Sequence, residues 1–459
     1  MAPRRGRAAC AQAFHRIAAC RNDTGCASGL PVNEQNEEIL RIASKGDGVT
    51  ASGRFAWGAA PGDILRADGT LEWGPHHIEP ACKHFGRCGG CQLQQLDAET
   101  LEGFVEARVA NASSSQELGA ETITAPYLSP PGARRRASLR AESSGGRIVI
   151  GFREAKSHRL VELEECPVLV PEITALLGPI RKLLITMGKA APVKKGPRGK
   201  GGKNAKSSPN AMPRMACDIE MTLVDQGVDL GVKGLTAEGL AAAEAMLDFA
   251  QSHGLARLTM DGGYGYETVW EPAPVTVTLG DTPVPFPPGT FLQATKDGED
   301  ALVSAAREWI GDAAAVADLF SGLGTFALAL AGPTCKVFAA EAARDVHLAG
   351  KSGADRAQCP VFSAHRDLFR NPLMADELSK FEAVLLDPPR AGAREQVECI
   401  ADSSVNRVVY ISCNPSSWSR DGARLIEAGF RLVELRPVGQ FRWSTHVELA
   451  SYFVRDAAE

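Results

Sequence analysis

The sequence has no apolar run long enough to span a bilayer, which argues against a transmembrane helix. It has no excess of positive charge either. The formal net charge is −5, so the molecule is not a polycation, and any nucleic-acid surface must be a local patch. No secretory apolar segment precedes its twelve cysteines, which argues against a disulfide framework. A reducing compartment, the cytoplasm, is expected instead. Aromatic residues are few, at 6%, while 44% hydrophobic and 23% charged residues are ordinary for a water-soluble protein. A length of 459 residues calls for two or three domains.

Acids are missing from two stretches. The first 22 residues hold five arginines and no Asp or Glu. That is chemistry seen in transit peptides, in disordered leaders and in mis-assigned starts. Residues 1–33 are therefore set apart as a leader. Residues 189–214 hold Lys189, Lys194, Lys195, Arg198, Lys200, Lys203, Lys206 and Arg214, again without an acid. Such a segment cannot bury a core and reads as a basic loop, either a solvated linker or a loose phosphate contact. Between the two, residues 34–80 show short apolar alternations broken by Gly46, Gly48, Gly53 and Gly58, the pattern of a small, strongly turning β-barrel. A helix is expected over "QQLDAETLEGFVEARVANAS", then strands from about 123 to 170. Residues 81–285 are assigned to a central α+β domain. From 286 to 459, apolar strands alternate with helical stretches, which predicts an α/β, mainly parallel, doubly wound sheet with its site at the strand C-termini.

The glycine loop of that last domain, "ADLFSGLGTFALALA", lacks the third glycine of a dinucleotide fingerprint. Gly322 and Gly324 allow a tight turn and a close ligand approach, and the following helix offers its N–H groups. Asp318 precedes the loop, and Glu341 ends the next strand, where an acid holds ribose hydroxyls. This series fits S-adenosylmethionine better than a pyrophosphate. Asp387 in "LLDPPR" closes another strand at the crevice. "VVYISCNP" ends a buried strand at Cys413, which reads either as a small core residue or as a nucleophile.

Only one CxxC pair is present. Cys82, Cys88 and Cys91 have the spacing C-x5-C-x2-C, and Cys166 in "EECPVL" is the candidate fourth ligand. Four thiolates hold either zinc or a [4Fe–4S] cluster, and zinc ribbons favour two CxxC pairs. His84 within the loop is expected to be solvated.

These motifs resemble the bacterial uracil-C5 RNA methyltransferases of the TrmA/RumA group, and most closely the iron–sulfur, ribosomal-RNA type. "GDGVTASGRFAWGAAPGD" is similar to that family's TRAM barrel. "CKHFGRCGGCQLQQL", "ARRRASL", "PPGTFLQAT", "DLFSGLGTF", "LDPPRAG", "YISCNP" and "HVE" follow in the family's order. The resemblance implies a Rossmann-like class I methyltransferase domain at 286–459. It also implies a [4Fe–4S] cluster on Cys82, Cys88, Cys91 and Cys166. Cys413 becomes the nucleophile that adds to C6 of uracil, and Glu448 the base that removes the C5 proton. Gln293, Phe320, Thr325, Glu341, Asp367 and Asp387 become cofactor contacts, beside Gly322 and Gly324. Two departures stand out: the family often has Asn where this chain has Thr325, and Asn near Thr295. The segment "GQFRWST" also differs from the family's text before the base.

The partner implied is RNA, most closely 23S rRNA, because the tRNA enzymes of bacteria lack the cysteine cluster and the barrel. Arg134, Arg135, Arg136 and Arg140 are candidate RNA contacts. Alternate residues of a strand face opposite ways, so only some of them can face RNA. A tRNA substrate, a methyltransferase of another RNA atom with Cys413 structural, and a non-catalytic RNA-binding scaffold are the competing readings. A monomer is expected.

Overall fold

The computed structural model describes residues 35–144, 147–155, 157–190, 215–236 and 239–456. The leader lies outside them, as does the basic segment from 191 to 214. Lys189 and Ala190, read from sequence as part of that segment, instead close the helix Pro171–Ala190. None of the helices among the described residues is long and apolar enough to cross a membrane.

The chain divides into two compact units. The first takes the chain up to Gly86, then Cys91–Phe104 and Trp443–Thr445. It carries a five-stranded antiparallel sheet. The order is Phe55–Ala56, Gly48–Thr50, Glu37–Ile42, Ile64–Leu65 and Leu71–Glu72. Its core is the inward set Ile39, Ala56, Ala59 and Leu65. Gly48 is required there, because a Cβ would lie 2.8 Å from both Ile39 and Ala59. Buried Asp63 ties the turns together, accepting from Ala60 N at 2.7 Å and Gly74 N at 2.8 Å, with the His77 ring at 2.7 Å.

The second unit takes Arg87–Gly90, Val105–Arg442 and the chain from His446. It holds two large sheets. One is six-stranded, ordered Glu267–Trp270, Arg257–Asp261, Gly227–Lys233, Ala216–Val224, Arg136–Ser144 and Arg147–Gly151. Its apolar face is covered by the helices Pro171–Ala190 and Leu240–Ser252, whose Ile173, Leu177, Ile180, Leu184 and Met246 join one core with the strands.

The other sheet positions the site. Its order is Val361–His365, Lys336–Glu341, Ala315–Leu319, Ala383–Leu386, Arg407–Ser412, Glu448–Val454, Arg431–Gly439 and Thr122–Ile123, with Tyr127–Leu128 also on Arg431–Gly439. The first five strands are parallel, and Ala315–Leu319, Ala383–Leu386 and Arg407–Ser412 among them are almost wholly buried, as strands covered on both faces are. The strand order reverses beside Ala315–Leu319, so a crevice opens at the carboxyl ends there. Glu448–Val454 runs antiparallel to both of its neighbours. Its apolar text carried no sign of that reversal, because a buried strand has the same pattern in either direction.

Candidate active site

The glycine loop lies at the reversal point. Phe320 has φ 65°, Gly322 φ 55° and Gly324 φ 92°, so three of five consecutive residues are left-handed. Gly324 caps the helix Thr325–Leu330, placing Thr325 at its first turn. A Cβ on Gly322 would meet nothing within 4 Å, so the loop opens onto space. The Glu341 carboxylate accepts from Gly322 N at 3.0 Å and Ala343 N at 2.6 Å, which fixes the loop against the next strand. Asp318 is fully buried. One of its oxygens accepts from Ala327 N at 2.8 Å, and the other has no hydrogen-bond partner. Burial above all, with Asp387 and Glu341 nearby, pushes its carboxyl up to about 8. Asp367 accepts from Phe369 N at 3.1 Å, and the Phe369 ring meets Phe320 at 5.3 Å.

Cys413 sits at the single joint between the strand Arg407–Ser412 and the helix Pro415–Glu427. Asn414 is the N-cap, its side chain accepting from Ser416 N, and Pro415 takes the first helical position, where it needs no donor. Ser412 pairs with Leu449, where the ladder ends, and the Glu448 carboxyl is near enough to the Cys413 thiol beyond it to raise that thiol. Glu448 is 4% exposed. Gln440 hydrogen-bonds it, donates to Gln293 Oε1 at 2.8 Å, and accepts from Ala294 N at 3.0 Å. Gln293 in turn donates to Asp387 at 3.4 Å. One polar chain therefore links Glu448, Gln440, Gln293 and Asp387.

The charges around the thiol are mostly of one sign. Burial first, then Asp387, pushes Glu448 up to about 8. Burial pushes Asp387 up to about 7. Burial, Glu448 and Asp387 push the Cys413 thiol up to about 11, against the opposing charge of Arg390. The thiol and the Glu448 carboxyl thus both hold protons at neutral pH in this state. Arg390 is set by its own backbone: its carbonyl accepts from Asn414 Nδ2 at 2.8 Å and Ser417 Oγ at 3.1 Å.

Of the arginine run, Arg135 turns inward. It pairs with buried Glu299 and donates from Nε to Gln293 O at 3.1 Å. Arg136 donates to Leu292 O at 2.9 Å. Arg140 pairs with Asp218 and Glu142. Arg135 therefore holds the segment bearing Gln293 and is not placed to meet RNA; its burial follows from the Glu299 carboxylate, which would be costly to bury alone. Thr295, one of the family departures, caps the helix Lys296–Ile310 by accepting from Gly298 N. Gln440 and Arg390 escaped the sequence reading: a glutamine at a strand end and an arginine after two prolines carry no periodic signal.

The four candidate metal ligands are thiols outside any disulfide. Cys82 and Cys91 belong to the first unit, Cys88 and Cys166 to the second. Gly89 and Gly90 let Cys88 approach the neighbouring strand end: a Cβ on Gly89 would lie 2.9 Å from Arg153 O, and one on Gly90 would touch Cys88 Sγ at 3.5 Å. The donor chemistry suits an iron–sulfur cluster. Among the described residues, however, no group of three or more His, Cys, Asp or Glu side chains converges as a metal site. His84, expected to be solvated, is buried, because the turn closed by Phe85 N donating to Cys82 O at 3.0 Å carries its ring inward.

Fold and site together define an α/β methyltransferase. Residues 289–456 match the family model described as tRNA (Uracil-5-)-methyltransferase. An uncharacterized RNA methyltransferase of Zymomonas mobilis is 46% identical over 419 residues, spanning 91% of this chain and 100% of that protein. The 23S rRNA (uracil(1939)-C(5))-methyltransferase RlmD of Pectobacterium carotovorum is 31% identical over 397 residues, 84% of this chain and 82% of its own. Among solved structures, the Pyrococcus abyssi tRNA (uracil-54, C5)-methyltransferase in complex with S-adenosyl-L-homocysteine matches with a TM-score of 0.68 over 92% of this chain and 100% of that one, at 18% identity. That last likeness is one of fold. The chain belongs to the RNA (uracil-5-)-methyltransferase family.

Proposed function

We propose that the protein methylates carbon 5 of a uridine in 23S rRNA. The observation that carries this reading is that the Glu448 and Asp387 carboxyls lie close enough to the Cys413 thiol to raise it, with Gln440 and Gln293 linking the two acids. Carbon 5 of uracil is a weak nucleophile. The Cys413 thiol gives up its proton to water, the thiolate sulfur forms a bond to C6, and the electrons of the C5–C6 double bond move onto the C4 oxygen. S-adenosylmethionine, bound against Phe320, Gly322, Gly324, Thr325, Glu341, Asp367, Asp387 and Gln293, supplies the methyl group that C5 then takes. Glu448 next accepts the C5 proton. The double bond re-forms as the S–C6 bond breaks, and its electrons return to the thiolate. Arg390 is the cation that offsets the two carboxylates while sulfur carries charge. Both ring faces must be reached, so the base is unstacked from its neighbours.

The ribosomal assignment is supported by the motif order and by the 31% identical relative; a tRNA uridine is the alternative. Cys82, Cys88, Cys91 and Cys166 are proposed to hold a [4Fe–4S] cluster, with zinc as the alternative, and no step of the reaction passes through it.

The test uses RNA tritiated at uridine C5 and counts tritium released to water. The wild-type protein is expected to release it from large-subunit rRNA, and Cys413→Ala to release none. Release from tRNA alone would move the substrate. Methyl transfer without tritium release, undiminished in Cys413→Ala, would overturn the C5 mechanism and return the thiol to a structural role.

A further inference from the structure

The second unit contains a cavity of about 260 Å³ that the proposed chemistry does not use. It lies on the other side of the segment that bears Gln293. The Gln293 side chain turns to Asp387 and Gln440, while its neighbours Leu292 and Ala294 line this cavity. The walls carry two guanidinium groups stacked on rings: Arg136 lies 4.9 Å over Phe291, and Arg134 lies 5.1 Å over Phe441. Phe291 is 65% exposed, so its ring is open to a ligand at this opening. Tyr266 closes another wall. It presses on Gly289, whose φ is +72° and where a Cβ would fall 2.3 Å from the tyrosine oxygen.

The cavity's acids are already engaged. Glu220 accepts from Tyr266 at 2.8 Å and pairs with Lys233 at 2.9 Å. Asp229 accepts two bonds from Arg257, at 2.9 and 2.7 Å. Arg136 donates to the Leu292 carbonyl at 2.9 Å and forms no ion pair with either acid, so its charge is not neutralised there. The opening is therefore cationic and flanked by planar groups, the combination that takes an unstacked base and its phosphate. The volume lies below the roughly 300–1,000 Å³ of a drug-sized site, which suits a single base.

We propose that this cavity receives one nucleotide adjacent to the target uridine, so that two neighbouring bases enter the protein on either side of the segment 289–295. The proposal rests on the reading of RNA as the substrate. Its test is a binding measurement with the full-length protein and the rRNA or tRNA hairpin it binds most tightly. That hairpin is made intact and with a single abasic residue at each of two positions on either side of the target. One abasic position is expected to weaken wild-type binding about tenfold, in line with about 1–3 kcal/mol for stacking one base. Phe291→Ala and the cavity-filling Thr259→Trp are each expected to weaken the intact hairpin by a similar factor, and the abasic residue then costs nothing further. Should one variant melt abnormally, the other decides. The proposal is overturned if no abasic position matters to the wild type, or if the loss persists undiminished in the folded variants. Binding needs no methyl transfer. Coupling without C5 tritium release would sink the uracil reading and leave the cavity standing, and release without coupling would do the reverse.

Discussion

Glu448 is proposed as a base, yet burial and Asp387 leave it protonated at neutral pH in the substrate-free state. Only its ionised form can accept the C5 proton. Tritium release should therefore rise with pH through about 8, and go on rising above it because the thiol, at about 11, is still ionising. A profile flat from pH 6 to 9 would remove Glu448 from that step. Glu448→Gln should still add to uracil and stop after methyl transfer. A protein–RNA adduct stable in denaturing gels is the expected outcome, and its absence would count against the assignment. Asp318 gives a stability prediction. Its carboxyl ionises near 4 in an unfolded chain and at about 8 in the fold. Between those values the native state holds a proton that the unfolded state does not, so stability falls as pH rises. Asp318→Asn keeps an acceptor for Ala327 N and removes that term. Its melting temperature should decline less steeply than the wild type's from pH 5 to 8. At this scale the sequence was legible where a residue carries a motif, as Cys413 and Asp387 do. Gln440 was not legible, because its role comes from Gln293 and Ala294, both distant in sequence, as well as from Glu448.

The loop Asp387–Gly392 and the helix Pro415–Glu427 behave as one element. Arg390 O is held by Asn414 and Ser417. Asp421 accepts from Ala393 N at 2.7 Å and Tyr410 OH at 2.6 Å. Gly392, at φ +91°, has no room for a Cβ, which would lie 2.6 Å from Asp421 Oδ2. Asp421→Ala leaves two buried donors unmatched, at about 1–3 kcal/mol each, and releases the loop. The single-turnover rate should fall by up to about a hundredfold, as small misplacements do, while RNA affinity changes little. Equal losses in rate and affinity would argue for general unfolding. The alternation of strands and helices announced the doubly wound sheet. Nothing announced the antiparallel strand Glu448–Val454, since register and direction are decided by pairing partners.

For the whole molecule, the four candidate cysteines fall two in each unit, Cys82 and Cys91 against Cys88 and Cys166. Protein purified without oxygen should contain about four iron and four sulfide per chain, and Cys166→Ser should lose them. Stoichiometric zinc with no visible absorbance would replace the cluster by the alternative. The spacing of three of these cysteines was plain in the sequence; that spacing says nothing of where Cys166 comes to rest.

The strand Glu448–Val454 lies between Arg407–Ser412 and Arg431–Gly439, both of which precede it in the chain. A ribosome making this protein releases both flanking strands first, and they have no partner for their facing edges until residue 454 has emerged. The strand that closes the gap also brings the proposed base. A chain cut short before Glu448 would therefore lack the proposed base, whatever else of the proposed site it had formed. Closing the sheet and bringing in the proposed base are a single event in the life of each copy.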